Sequence, residues 1–299
     1  MDYFGYQIMG KSPDIDATRR LALDRHANIA QLSQLLFIVT IPMIKIAIEV
    51  LSPFFRHDQA RENDVQGKQS SRDKSSGSDK PLRRSYLGHP TSAVLCREVM
   101  KGCGTYEQWI CGLGWSAWLA LLCFRDTAPD YLHLVKSVGL IGASQLPGHY
   151  LLATQHQHGL LHLFPHTSSQ HIRSLHIVTG RIIVLLFTAH AVLYSKVLLN
   201  MGVLGNSICQ PKITVALISV VIFATIALTS LRSFRRRAYS LFYNVHVVLS
   251  TLVLPLLFFH VRHIRPYVLE CAAVVALNAL LRISSRYGSD RGRKSKKFQ

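Results

Sequence analysis

Apolar residues along the 299-residue chain gather in blocks of about twenty, parted by polar or basic stretches. A helix of ~20 apolar residues is what it takes to cross ~30 Å of hydrocarbon. The blocks are 31–52, 108–124, 134–153, 172–196, 213–231, 239–262 and 266–283. They predict an all-α, polytopic membrane helix bundle of about seven transmembrane helices. In the first block Pro42 predicts a kink, and Lys45 with Glu49 forms an i, i+4 pair near one end. Pro147 and His149 stand near the far end of the third.

The segments between the blocks differ in kind. Residues 1–30 are polar and mixed and read as an extracytoplasmic extension with one short helix. Residues 53–107 are rich in Lys, Arg, Asp, Ser and Gly from Arg56 to Arg84, with little to bury. They read as a disordered basic loop. Residues 154–171 hold His156, His158, His162, His166 and His171. Such a cluster can bind metal, but no carboxylate stands near its spaced pairs, so a solvated loop is the expectation. RSFRRR at 232–237 and the 284–299 tail are basic.

Composition supports this division. About half the residues, 49%, are hydrophobic, and the formal net charge is +18. So basic a chain suggests nucleic acid, but the charge is confined to the connecting segments and the tail. Membrane orientation explains it, and the expected partner is the lipid bilayer, with no nucleic acid. With seven spans, 53–107, 232–238 and the tail fall on one side. The positive-inside rule makes that side cytoplasmic and puts the N-terminus outside, with a plasma-membrane setting expected. The six cysteines make no C-x-x-C pair and no C-x-x-C-H haem-attachment site, so no disulfide framework is expected. No cleavable signal peptide is expected either.

The chemistry concentrates in two blocks. His176 and His190 lie fourteen residues apart, and so do His246 and His260. At ~100° and ~1.5 Å per residue, fourteen residues return a side chain to within ~40° of one face, ~21 Å along the axis. Two sites therefore fit one bilayer, one above the other. The two blocks run parallel, which pairs His176 with His246 on the cytoplasmic side and His190 with His260 on the outer side. His171 and His263 each fall ~100° off the matching face. Imidazole is a common axial ligand of haem iron, so the spacing predicts a di-haem core of two haem b groups. Gly180, four residues after His176, shares its face, where a missing side chain would admit a flat macrocycle. The competing readings are a histidine-lined proton or metal transporter and a truncated, non-catalytic remnant.

HIVTGR at 176–181, with His190 beyond it, resembles the fungal ferric reductase signature His-Arg-x-x-Gly-Arg followed by a second His. LRSFRRRAYSLFYNVHVVL at 231–249, with His260 downstream, resembles the arginine-rich loop and second histidine helix of that family. GLIGASQLP at 139–147 and RPYVLECAAVVALNALLR at 265–282 resemble its flanking helices. The resemblance covers roughly 107–284, and the equal spacing favours ferric reductases over the related NADPH oxidases. It implies a haem-binding transmembrane domain at 108–283, with His176, His190, His246 and His260 as axial ligands. It also implies electrons passing from NADPH through FAD and two haems to ferric or cupric chelates outside. Arg235, Arg236 and Arg237 would face haem propionates or a flavin cofactor, or serve as topology determinants. Family members carry FAD and NADPH domains after the last helix, whereas no strand–glycine-loop–helix unit is present here. The expectation is that this sequence does not oxidise NADPH unaided and is served by a separate flavin reductase or a full-length homologue.

Overall fold

The computed structural model describes residues 6–8, 17–40, 43, 98–100, 104–154 and 169–295. The histidines of 155–168, the kink expected at Pro42, the Lys45–Glu49 pair and most of the basic 53–107 segment lie outside the described residues.

Helix α1 spans 17–40, so it begins inside the segment read from sequence as a terminal extension. Its inner face explains the early start: Ala27 and Ala30 are fully buried, and small side chains let neighbouring helices come close. A short antiparallel pair, β1 (Glu98–Met100) and β2 (Gly104–Thr105), leads into α2 (Tyr106–Phe124). The Thr105 hydroxyl caps α2 by accepting from the Gln108 N–H at 3.3 Å. The expected third span divides into α3 (Tyr131–Ser144) and α4 (Leu146–Leu152) around Gln145. Pro147 causes the division: it has no N–H to donate and tolerates only the first turn of a helix.

The remaining elements follow the apolar blocks, except that the last helix runs past the expected end at 283 to Ser295, into the segment read as a tail. They are α5 (Ser169–Asn200), α6 (Leu204–Ile208), α7 (Pro211–Thr229), α8 (Arg232–Arg237), α9 (Tyr239–His260), a 3₁₀ turn at Arg262–Ile264 and α10 (Arg265–Ser295). RSFRRR is thus a short helix and not an open loop. Four described helical stretches are long and apolar enough to cross a membrane: Ile172–Asn200, Pro211–Thr229, Tyr239–His260 and Arg262–Ser285. Their outward faces carry many exposed large apolar side chains, Leu185, Val192, Val221, Leu252 and Leu280 among them. Lipid is the solvent that makes such faces stable. The chain is an integral membrane protein with a helical bundle.

Seven described segments run back and forth between two ends: α1, α2, the α3–α4 pair, α5, α7, α9 and α10. One end gathers the α2–α3 turn, the C-terminus of α5, the N-terminus of α7 and the C-terminus of α9. There Tyr131 and Val135 pack against Val197, and the His260 ring reaches the Lys212 carbonyl. The other end gathers the start of α2, α4 and the start of α5. There Gln108 donates to the Ser174 hydroxyl at 3.0 Å, and Ile38, Leu152 and Ile172 cluster. Helices α5 and α9 run in the same direction between these ends.

Helix α1 closes the bundle through polar contacts. Trp118 Nε1 donates to Ser33 Oγ at 3.1 Å, and the Tyr267 hydroxyl donates to Asn28 Oδ1 at 3.0 Å. The rings of Phe37 and Trp115 stack at 5.7 Å. Arg19 pairs with Asp130 at 2.7 Å, with Asp130 buried. Asp130 also caps α3, where its Oδ1 accepts from the Leu132 N–H at 3.0 Å. One carboxylate therefore starts α3 and ties α1 to it. Asp130→Asn keeps the cap and loses the charge; Asp130→Ala loses both. Loss of a cap costs ~1 kcal/mol, and the ion pair with Arg19 is lost in both variants. Thermal unfolding in detergent should rank wild type above Asp130→Asn, and Asp130→Asn above Asp130→Ala. Equal midpoints for the two variants would remove the capping role.

Candidate haem-ligand histidines

The structure sets the histidines of α5 and α9 at two levels. His176 and His246 face one another with ring centroids 6.3 Å apart. Metal–imidazole bonds of ~2.0 Å place two ring centroids ~6 Å apart across a single ion, so this separation suits a shared iron. His190 and His260 lie toward the other end, each fastened to a different neighbouring helix.

The fastening determines the chemistry of each ring. His190 Nδ1 is 2.8 Å from the Val135 carbonyl oxygen on α3, and His260 Nδ1 is 3.1 Å from the Lys212 carbonyl oxygen on α7. A carbonyl only accepts, so Nδ1 carries the proton and Nε2 keeps its lone pair. His246 Nδ1 lies 3.3 Å from Ser230 Oγ, whose own proton goes to the Ile226 carbonyl at 2.6 Å. The serine must then accept, which leaves the same tautomer on His246. A metal-binding imidazole almost always has this arrangement, one nitrogen held by an outer partner and the other free for the ion. His176 is the exception: its Nδ1 is buried without a hydrogen-bond partner.

Glycines admit the rings. A Cβ on Gly139 would stand 2.7 Å from His190 Nδ1, so only glycine lets that imidazole lie against α3. Gly180, expected to face a macrocycle, has another ring on its open side. A Cβ there would stand 3.0 Å from Cε1 of His149. His149 comes from α4 and stacks on His176, with centroids 4.2 Å apart and planes 9° from parallel. Its Nδ1 is 2.9 Å from Thr179 Oγ1.

Histidine spacing assigns His149 no role, because it stands alone on a segment broken by proline, without a spaced partner. The available signal was an imidazole in an apolar block, where ionisable groups are costly and enriched for function.

The arginines of the 176–181 and 232–237 stretches take separate places. Arg181 follows His176 by five residues and so points ~140° away from it. It lines a groove of about 180 Å³ between α2 and α5, with Trp109, Gly112, Leu113, Ile182 and Leu185. Arg235 lies over the Phe242 ring at 5.8 Å, and that ring is 5.4 Å from His246. The basic helix α8 therefore reaches toward the His246 level through an aromatic ring.

A helical membrane bundle with imidazoles at two heights, most of them held through Nδ1, defines an integral membrane protein built to present histidine Nε2 atoms in its interior. Residues 138–257 match the ferric reductase like transmembrane component. Similar proteins include a "Probable metalloreductase AIM14" of Candida dubliniensis, 30% identical over 156 residues. That match covers 49% of this chain and 28% of the relative. A "Probable ferric reductase transmembrane component" of Eremothecium gossypii is 28% identical over 138 residues, or 44% of this chain and 19% of the relative. The chain thus spans less than a third of the length of either relative.

Two glycine substitutions separate ring accommodation from helix propensity. Gly139→Ala drives a methyl group into His190, and overpacking of this kind costs ~1–3 kcal/mol. Gly114 in α2 has nothing within 4 Å of its missing Cβ, so Gly114→Ala should gain up to ~1 kcal/mol from helix propensity alone. Thermal unfolding in detergent should move in opposite directions for the two; a stabilised Gly139→Ala would refute the close contact.

Proposed function

We propose that this chain is a transmembrane electron conduit holding two b-type haems, His176 with His246 and His190 with His260. The observation that carries the reading is the set of Nδ1 attachments at His190, His246 and His260, which leaves each Nε2 unprotonated. The 6.3 Å between the His176 and His246 rings and the family match of residues 138–257 support it further.

When bound, haem supplies one-electron chemistry that side chains lack. The chain's own contributions follow from its residues. Val135 O, Lys212 O and Ser230 Oγ fix three rings in position and keep each Nε2 lone pair free. The apolar flanks of α5, α7 and α9 exclude water. A rise of ~21 Å between the two levels corresponds to one site in each leaflet. The basic 53–107 segment, α8 and the tail favour a cytoplasmic position for the His176–His246 level, where electrons enter. The His190–His260 level delivers them outside, to ferric or cupric chelates. The electron source is a flavin reductase that draws on NADPH.

Pyridine haemochrome analysis of purified protein should give two haems per chain, with a b-type reduced-minus-oxidised spectrum. His246→Ala and His260→Ala should each lose one haem, because each removes the α9 ligand of one level. Protein that folds without haem, or an unchanged haem content in both variants, would sink the reading. Orientation has a separate test. Cys209 is exposed in the α6–α7 junction, at the His190–His260 end. In intact cells a membrane-impermeant maleimide should label Cys209, and Cys209→Ser should abolish that labelling. Labelling that needs permeabilised cells would invert the topology.

A further inference from the structure

His149 is a third imidazole beside the His176–His246 pair, and neither the histidine spacing nor the family resemblance gives it a role. Its hydrogen bonding differs from that of a packing residue. Thr179 Oγ1 sends its proton back to the Leu175 carbonyl at 2.9 Å and toward the His176 carbonyl at 3.3 Å. The hydroxyl can then only accept from the His149 ring. His149 Nδ1 therefore carries the proton, and Nε2 keeps a free lone pair. This is the ligand-ready state of His190, His246 and His260, reached through a different partner.

Two further features join His149 to the His176–His246 level. Its ring lies parallel to His176 at stacking distance, with the centroids 4.2 Å apart. Gly180 provides the space, since a Cβ would press on Cε1 at 3.0 Å. Of these five rings, His176 is the one whose buried Nδ1 has no hydrogen-bond partner. A buried polar atom left unpaired costs free energy.

We infer that His149 is a second imidazole ligand for the haem site opposite His246, interchangeable with His176. This rests on the di-haem reading. The exchange is balanced: the bond from iron to His176 breaks as the bond from iron to His149 Nε2 forms. No proton is released, because that nitrogen is already bare, and no electron moves. The level nearer α8 thus has three imidazoles for two axial positions, and the His190–His260 level has two.

The test is haem stoichiometry and spin state in the purified full chain. Wild type should hold two low-spin haems. His176→Ala should still hold two, both low-spin, with His149 taking the vacated position. His149→Ala should also hold two, through His176. The double variant His149→Ala with His176→Ala should hold one, and retention of the haem at His190–His260 shows that this protein has folded. Adding Thr179→Val to His176→Ala removes the acceptor that sets the His149 tautomer, and should reduce haem at that level or make it high-spin. The inference is overturned if His176→Ala alone falls to one haem per chain while wild type has two. It is also overturned if the double variant still holds two. Wild type without haem would overturn the di-haem reading itself, a result distinct from either of these.

Discussion

An imidazole inside a bilayer has two nitrogens and no water to satisfy either. One can donate and the other can accept, and the neighbouring helices decide which is which. Here the decision comes mainly from groups that can only accept: the Val135 and Lys212 carbonyls directly, and the Ser230 and Thr179 hydroxyls because their own protons are already committed. Much of the interior is arranged around this. Gly139 is bare so that one ring reaches its carbonyl, and Gly180 is bare so that another fits beside it. Helices α3, α5, α7 and α9 are held at the spacing these bonds require.

The polar contacts of the bundle sort by position. Those of α1 lie along its inner face, where Ser33, Asn28 and Arg19 each meet a partner on a different element. Unpaired polar groups are expensive in lipid, so these few bonds fix how α1 is rotated and how deep it sits. The outer faces of α5, α7 and α9 carry no comparable network and follow the hydrophobic rule alone.

Much of this was legible in the sequence. Blocks of apolar residues gave α2, α5, α7 and α9 to within a few positions, and the matched fourteen-residue gaps singled out α5 and α9. Helical periodicity is a local property, so counting along the chain recovers it. Three features escaped. Helix α1 begins at 17 because Ala27 and Ala30 are buried by other helices, and burial of small residues leaves no hydropathy signal. The division at Gln145 depends on how the backbone accommodates Pro147, which a hydropathy block passes over. His149 matters because the fold carries α4 back against α5, bringing together residues about thirty positions apart in the chain.

The attachments of the rings also differ in what mutation can reach. His190 and His260 are held by backbone carbonyls, which every residue type supplies. The exposed Lys212 side chain can therefore drift over generations without disturbing the imidazole it supports, whereas Val135 is constrained by its own burial against Val197. His246 and His149 depend on Ser230 and Thr179, whose hydroxyls a single codon change removes. One level of the bundle is thus insulated from sequence drift in its supports, and the other is open to retuning one hydroxyl at a time.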